Sequence, residues 1–243
     1  MMSKGTGYVA SAVVWDGPVF TGTTGQHHFA DIDGDGKIDV AMLETDGDVR
    51  VGISDCQPIH LMTLITDGLG NEIEIDYKPT TDTTVHTQLS DATYPQIDIA
   101  NASHVVSQVT QPDGIGGDAV QNYSYTGFKF ERGGRGSLGF KEVEVEDVNQ
   151  KTRSVTTYSQ TYPTIGRVLE SESYITDVND DGTFNDEQLM SETILTYASL
   201  DGVTQTSGPD IGYVCVDTRQ VKQYDLDGAG GSSGLLVTTF TDN

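Results

Sequence analysis

The sequence predicts an all-β fold, and three observations predict it. Thr, Val, Tyr and Ser recur in the segments between turn residues, with 28 Gly in 243 residues, a composition that suits pleated strands and tight turns better than helices. Runs of alternating apolar and polar residues, four to a dozen long, are punctuated throughout by Asp-Gly, Gly-Gly and Asn-containing turns. Only Asn185 to Leu189 invites even a short helix.

Taken in order, Tyr8 to Trp15 alternates as a strand and Asp16-Gly17-Pro18 stops it. Phe29-Ala30 then leads into Asp31-Ile32-Asp33-Gly34-Asp35-Gly36-Lys37-Ile38-Asp39. Carboxylates at alternate positions, a Gly at the sharp turn and one more Asp three residues on curl around a single hard cation, because oxygen ligands from a tight loop suit Ca²⁺. The expected ligands are the side chains of Asp31, Asp33, Asp35 and Asp39 and the backbone carbonyl of Lys37, with Gly36 in a left-handed conformation. Without a cation these carboxylates repel one another. The loop is not an EF-hand: the twelfth position, where a bidentate Glu belongs, is Met42, and two apolar strands follow, Ile38 to Leu43 and Asp48 to Ile53, around Thr45-Asp46-Gly47. A calcium loop feeding a β-hairpin resembles FG-GAP or VCBS-type repeats, the blades of integrin-like propellers. Residues 1–55 are therefore expected to form a propeller-blade-like segment.

From residue 56 to 243 the strands lengthen. Leu61 to Thr66, Glu72 to Lys78, His104 to Thr110, Val120 to Phe130, Lys141 to Asp147, Thr152 to Tyr162, Gly166 to Ile175, Glu192 to Ser199, Val214 to Tyr224 and Leu235 to Thr241 are the expected strands of one large antiparallel sheet. Asp82 to Asn101, polar and broken by Tyr94-Pro95, is expected to be a long loop over it. Tyr123, Tyr125, Phe128 and Phe130 are expected to place their rings on one sheet face as core, and Arg132 to Arg135 to form an exposed hairpin turn that returns Leu138 and Phe140 to the core side. A second acidic loop, Asp177 to Asp186, repeats the first spacing. Its expected ligands are Asp177, Asn179, Asp181, the Thr183 carbonyl and Asn185, with Asp186 within reach, and its lower charge implies weaker calcium binding.

Other chemistries are poorly served. A formal charge of −24 opposes binding to a nucleic-acid backbone or an anionic membrane, and no apolar run is long enough to span a bilayer. Cys56 and Cys215 are too few for a disulfide scaffold; a single bridge between them is the alternative to the expected pair of buried free thiols. His27, His28, His60, His86 and His104 lack zinc-binding spacing, and no G-x-S-x-G elbow occurs. Gly134 to Gly139 satisfies G-x-G-x-x-G but leads into an alternating strand, not the helix a dinucleotide site needs. Neither an enzyme nor a small-molecule substrate is expected.

Asp67-Gly68-Leu69-Gly70, Ile75 to Pro79, Tyr94-Pro95, Val105-Val106, Tyr123 to Gly127, Gly134 to Phe140 and Thr157 to Pro163 with Gly166 occur in the order of a known family. Over most of the chain, from the ion loop to about Ser173, the sequence resembles the middle region of the B subunit of insecticidal toxin complexes, continuing into Rhs/YD-repeat sheet. The resemblance implies FG-GAP blades of a propeller that docks on a translocation subunit, followed by the start of a hollow shell that encloses a toxic polypeptide. By that resemblance the chain is a calcium-stabilised, non-catalytic segment of a longer secreted bacterial protein. Its partners would be the rest of its own chain or other toxin-complex subunits. A calcium-dependent adhesion or glycan-binding module and, behind it, a carbohydrate-active enzyme are the rival readings.

Overall fold

In a computed structural model, which describes residues 26–43, 49–54, 61–178, 184–199, 214–226 and 232–241, every regular element is a β-strand. Gln26–Ala30 (β1), Asp39–Leu43 (β2) and Val49–Gly52 (β3) pair antiparallel in chain order as a three-stranded sheet. The next strands are Leu64–Thr66 (β4), Glu72–Pro79 (β5), His86–Thr87 (β6), Gln96–Asp98 (β7), His104–Pro112 (β8), Asp118–Thr126 (β9), Lys129–Glu131 (β10) and Gly136–Gly139 (β11). Glu142–Asp147 (β12), Thr152–Tyr158 (β13), Val168–Val178 (β14), Phe184–Ser199 (β15), Val214–Leu226 (β16) and Ser232–Thr241 (β17) complete the described chain.

Most of these strands join one 11-stranded sheet, ordered β17-β16-β15-β14-β13-β12-β9-β8-β5-β4 with β6 beside β9. Its long strands pair antiparallel, and β6 alone runs parallel to its neighbour. β8 stops pairing with β9 at Asn122, and β6 takes the vacated position beside Tyr125 and Thr126.

Register assigns the two faces of the sheet. Tyr123 and Tyr125 of β9 stand opposite Val145 and Val143 of β12, whereas Asn122, Ser124 and Thr126 stand opposite Glu146, Glu144 and Glu142. Glu144 ion-pairs with Arg153 at 2.8 Å, and the Arg153 guanidinium lies 4.7 Å from the centre of the Tyr174 ring. Residues of both parities in β12 and β13 are half-buried, so this part of the sheet covers itself only partially on either side. The apolar side chains that are fully shielded are few among the described residues: Val40, Met42, Val85 and Leu138.

Several expectations need correction. Val120 to Phe130 is not one strand, because Gly127, at φ 70°, breaks it and places Phe128 beside Phe140. A Cβ on Gly127 would lie 2.8 Å from Leu89 Cδ1 and 3.1 Å from Lys141 Cβ, so the break needs glycine for space as well as for conformation. Tyr125 and Phe128 both pack on Phe140, with ring centres 4.8 Å away, but Phe130 lies beyond the break in a separate sheet and is exposed. Thr152 to Tyr162 ends as a strand at Tyr158, and a turn holding the cis Tyr162-Pro163 bond follows. Asp82 to Asn101 is not only loop. It contains β6 and also β7, which joins β10 and β11 in a small sheet. Asn185 to Leu189 is strand, since pairing of Leu189 with Tyr174 and Gln188 with Ile175 overrides local helix propensity.

Cys215 is exposed rather than buried, because the odd-numbered positions from Cys215 to Arg219 of β16 face outward. Arg132 to Arg135 do form the turn between β10 and β11, and Leu138 is buried as expected. The Tyr8 to Trp15 strand, the Thr45-Asp46-Gly47 turn and Cys56 lie outside the described residues.

Candidate metal centre

Residues 31–38 connect β1 to β2, and the loop turns back on itself through Gly34 and Gly36, at φ 80° and 86°. Asp31 closes it: Oδ1 accepts the Gly34 N–H at 2.7 Å and Oδ2 the Gly36 N–H at 3.0 Å. Asp33 accepts the Asp35 N–H at 3.1 Å. Asp39, the first residue of β2, is fully buried, and its two oxygens accept the N–H groups of Ser54 and Ile32, each at 2.8 Å.

These bonds bring the carboxylates of Asp31, Asp33 and Asp39 together, with one oxygen from each within 4.8 Å of the others. Oxygens at about 2.3 to 2.6 Å from a calcium ion are at most about 5 Å apart, so this spacing and an all-oxygen donor set fit that ion. Asp35 stands apart from the three. Its Oδ2 is 2.7 Å from Lys37 Nζ and its Oδ1 accepts the Lys37 N–H at 2.8 Å. Partial burial pushes the Asp35 carboxyl up, but the hydrogen bonds and charge of Lys37 outweigh it and hold the group below its ordinary value.

The loop is also held from outside. The Thr81 hydroxyl, just after β5, donates to the Gly34 carbonyl. A Cβ on Gly36 would lie 2.9 Å from the Ala102 carbonyl oxygen and 3.1 Å from His104 Cε1. No sequence pattern announces Thr81, Ala102 or His104 as neighbours of the loop, since even Thr81 is 47 residues away from Gly34 in the chain. Of the second loop, Asn179, Asp181 and Thr183 lie outside the described residues. Asp177 belongs to β14 and Asn185 and Asp186 to β15, joined through the Val178 and Phe184 pairing.

A second polar cluster escaped sequence reading altogether. Glu192 of β15 accepts Lys222 Nζ at 2.8 and 3.0 Å and the Tyr224 hydroxyl at 3.1 Å, while Glu172 is its cross-strand neighbour. The Lys222 hydrogen bonds hold Glu192 below the ordinary carboxylate value, whereas burial and then the charges of Glu172 and Glu192 push Glu170 up. Register offset by bulges creates this cluster, so no spacing in the sequence reveals it. The cavity of about 600 Å³ on the sheet is lined elsewhere, by Asp76, Thr84, Gln108, Asn122, Glu144 and Glu146 among others. Among the described residues no helix is long and apolar enough to cross a membrane.

Residues 4–169 match the family described as the insecticide toxin TcdB middle/N-terminal region. The chain belongs to that family. Two solved structures share the fold of this TcdB-type region: TcdB2-TccC3, with a TM-score of 0.57 over 82% of this chain, and TcdB2-TccC3-Cdc42, with 0.58 over 83%, both at 14% identity. The chain spans 12% of the length of either neighbour. No curated protein matches it.

Proposed function

We propose that this TcdB-type region is a calcium-stabilised, non-catalytic structural segment of a secreted toxin-complex protein. Residues 1–55 form a propeller-blade-like unit and residues 56–243 a shell-like sheet, and the segment serves as the joint between them. The observation that carries this reading is the seating of the Asp31 to Asp39 loop, whose carboxylates gather on one side while Gly34 and Gly36 rest against Thr81, Ala102 and His104. An ion at Asp31, Asp33, Asp39 and the Lys37 carbonyl would offset most of the charge of the loop and fix its path between the sheets, with Asp177 to Asp186 as a second, weaker calcium site. Family membership and the TcdB2-TccC3 fold support partners of the same kind, namely the remainder of a longer chain and other toxin-complex subunits.

Limited proteolysis of the loop in calcium and in chelator tests the joint. Protection by calcium but not magnesium is the expected result, and equal cleavage rates overturn the calcium part. Turnover of a glycan, ester or peptide substrate, abolished by one Asp or Glu substitution, overturns the non-catalytic part.

A further inference from the structure

Two hairpin turns of the large sheet share one build. Asp67-Gly68-Leu69-Gly70-Asn71 joins β4 to β5, and Asp113-Gly114-Ile115-Gly116-Gly117 joins β8 to β9. In each, the opening aspartate donates its N–H to the carbonyl of the fifth residue at 2.9 Å. Its Oδ1 accepts two N–H groups in return, from Leu69 and Asn71 at 2.8 and 2.9 Å in the first turn and from Ile115 and Gly117 at 2.8 Å each in the second. These bonds close the turns without help from the side chain at the tip. That side chain is nonetheless apolar in both. Leu69 and Ile115, 91% and 92% exposed, are the two most exposed large apolar residues among those described. Apolar groups held out in water stabilise nothing within these turns, whereas a rigid apolar tip loses little freedom when it docks on a partner.

The two tips stand side by side. β5 and β8 pair antiparallel with Glu74 opposite Thr110, so the start of β5 and the end of β8 lie at the same end of the sheet. Two strand spacings, about 10 Å, separate the hairpins. Between them opens a cleft of about 330 Å³, lined by Glu72, Glu74 and Asp118 among others, and no Lys, Arg or His lines it. Asp118 stands opposite Pro112, which alternates with Thr110 on β8 as Glu72 does with Glu74 on β5, so the three carboxylates share one face of the sheet.

We propose that Leu69, Ile115 and the cleft between them form a docking site for a segment of a separate polypeptide that carries an Arg or Lys between apolar residues. Charge sorts the occupants. Carboxylates with no cation among them attract a base, and they repel both an anionic membrane and the same end of a second copy of this chain. The apolar neighbours of the basic residue pack on the two tips, and its charged head meets Glu72, Glu74 and Asp118.

Calorimetric titration of the chain with the peptide Gly-Leu-Leu-Arg-Leu-Leu-Gly tests this, beside one version with Glu for Arg and one with Ser for every Leu. The Arg peptide is expected to bind, less tightly as salt rises, and each of the other two to bind at least about tenfold more weakly. The double variant Leu69→Ser, Ile115→Ser is expected to weaken the Arg peptide by about tenfold at an unchanged melting temperature, since neither side chain packs against the fold. Glu72→Gln with Asp118→Asn is expected to weaken it too and to flatten its salt dependence. Hydroxyl-radical labelling of the protein at its full natural length is expected to reach both tips when no partner is present. No binding of the Arg peptide, equal binding of the Glu peptide, wild-type affinity in the tip variant, or tips shielded by the protein's own chain overturns the proposal. So does self-association, or binding to phosphatidylcholine vesicles, that the tip variant abolishes, because it gives the tips to a second copy or to lipid.

Discussion

The hydroxyl of Thr81 donates a hydrogen bond to the carbonyl of Gly34 across 47 residues of sequence. Gly34 lies in the acidic loop and Thr81 just beyond β5, so this bond ties the small sheet to the large one. The receiving side is itself ordered. The Thr80 hydroxyl donates to the Asn101 carbonyl at 2.6 Å, and the Thr80 carbonyl accepts His86 Nδ1 at 2.7 Å.

Replacing Thr81 by Val keeps its shape and removes the donor. The expected loss is about 1 kcal/mol, the net value of one hydrogen bond, measured by urea unfolding. Proteolysis within residues 31–38 should accelerate in the same variant, because the loop loses its tether while the sheet does not.

Gly36 and Gly70 have the same φ, 86°, but different surroundings. A Cβ on Gly70 meets nothing within 4 Å, whereas one on Gly36 comes within 2.9 Å of the Ala102 carbonyl oxygen. Gly70→Ala is expected to cost roughly 1 kcal/mol, the strain of a left-handed alanine alone. Gly36→Ala adds the clash and is expected to cost roughly 2 to 3 kcal/mol. Equal unfolding midpoints for the two variants would show that the loop does not depend on its close seating.

Glu192 and Glu170 give opposite pH dependences. The Glu192 carboxyl is held below its ordinary value of 4.5, chiefly by Lys222. Its stabilising contribution is therefore present above that value and is lost as pH falls through its lower folded value. Glu170, pushed up by burial and by Glu172, carries a penalty at neutral pH that is relieved as pH falls through its raised folded value. Glu170→Gln is thus expected to raise the melting midpoint at pH 7 and to change nothing at pH well below 4.5. Glu192→Gln is expected to lower it at pH 7, with the difference shrinking in acid. Melting curves from pH 3 to pH 7 check both signs, within the carboxylate range to which the shifts belong.

What the sequence revealed was mostly local. The turn at Gly36, the gathering of Asp31, Asp33 and Asp39 and the alternation of β12 follow from spacing over a few residues. The division of labour between Asp33 and Asp35 did not, because it depends on where Lys37 swings its ammonium. Gly127 was invisible as a break, since a glycine inside an alternating run is silent until Leu89 and Lys141 are known to crowd it. Asn185 to Leu189 misled because Glu187, Gln188 and Leu189 are good helix formers, and only the partner strand decides otherwise. The seat of the acidic loop on Thr81, Ala102 and His104, like the Glu192 cluster, arises from pairing between distant strands, on which local periodicity is silent.

The division between Asp33 and Asp35 leads to the calcium prediction. An ion that binds the folded loop and not the unfolded chain stabilises the fold by RT ln(1 + [L]/Kd). Extracellular calcium modules have Kd values of about 10⁻⁴ to 10⁻³ M, so ~1 mM calcium adds about 0.4 to 1.4 kcal/mol at the first loop. Asp33 belongs to the gathered carboxylates and Asp35 is bound to Lys37 instead. Asp33→Asn is therefore expected to abolish most of the calcium response and to relieve repulsion without it, melting at or above the wild type in chelator. Asp35→Asn is expected to retain most of the response and to melt lower in chelator, because it weakens the pairing with Lys37. Thermal melts of the three proteins in calcium, magnesium and chelator separate these outcomes, magnesium serving as control because its strict octahedral demand suits this loop poorly. An identical loss of response in the two variants would return Asp35 to the ligand set, and no response in the wild type would remove the ion from the joint.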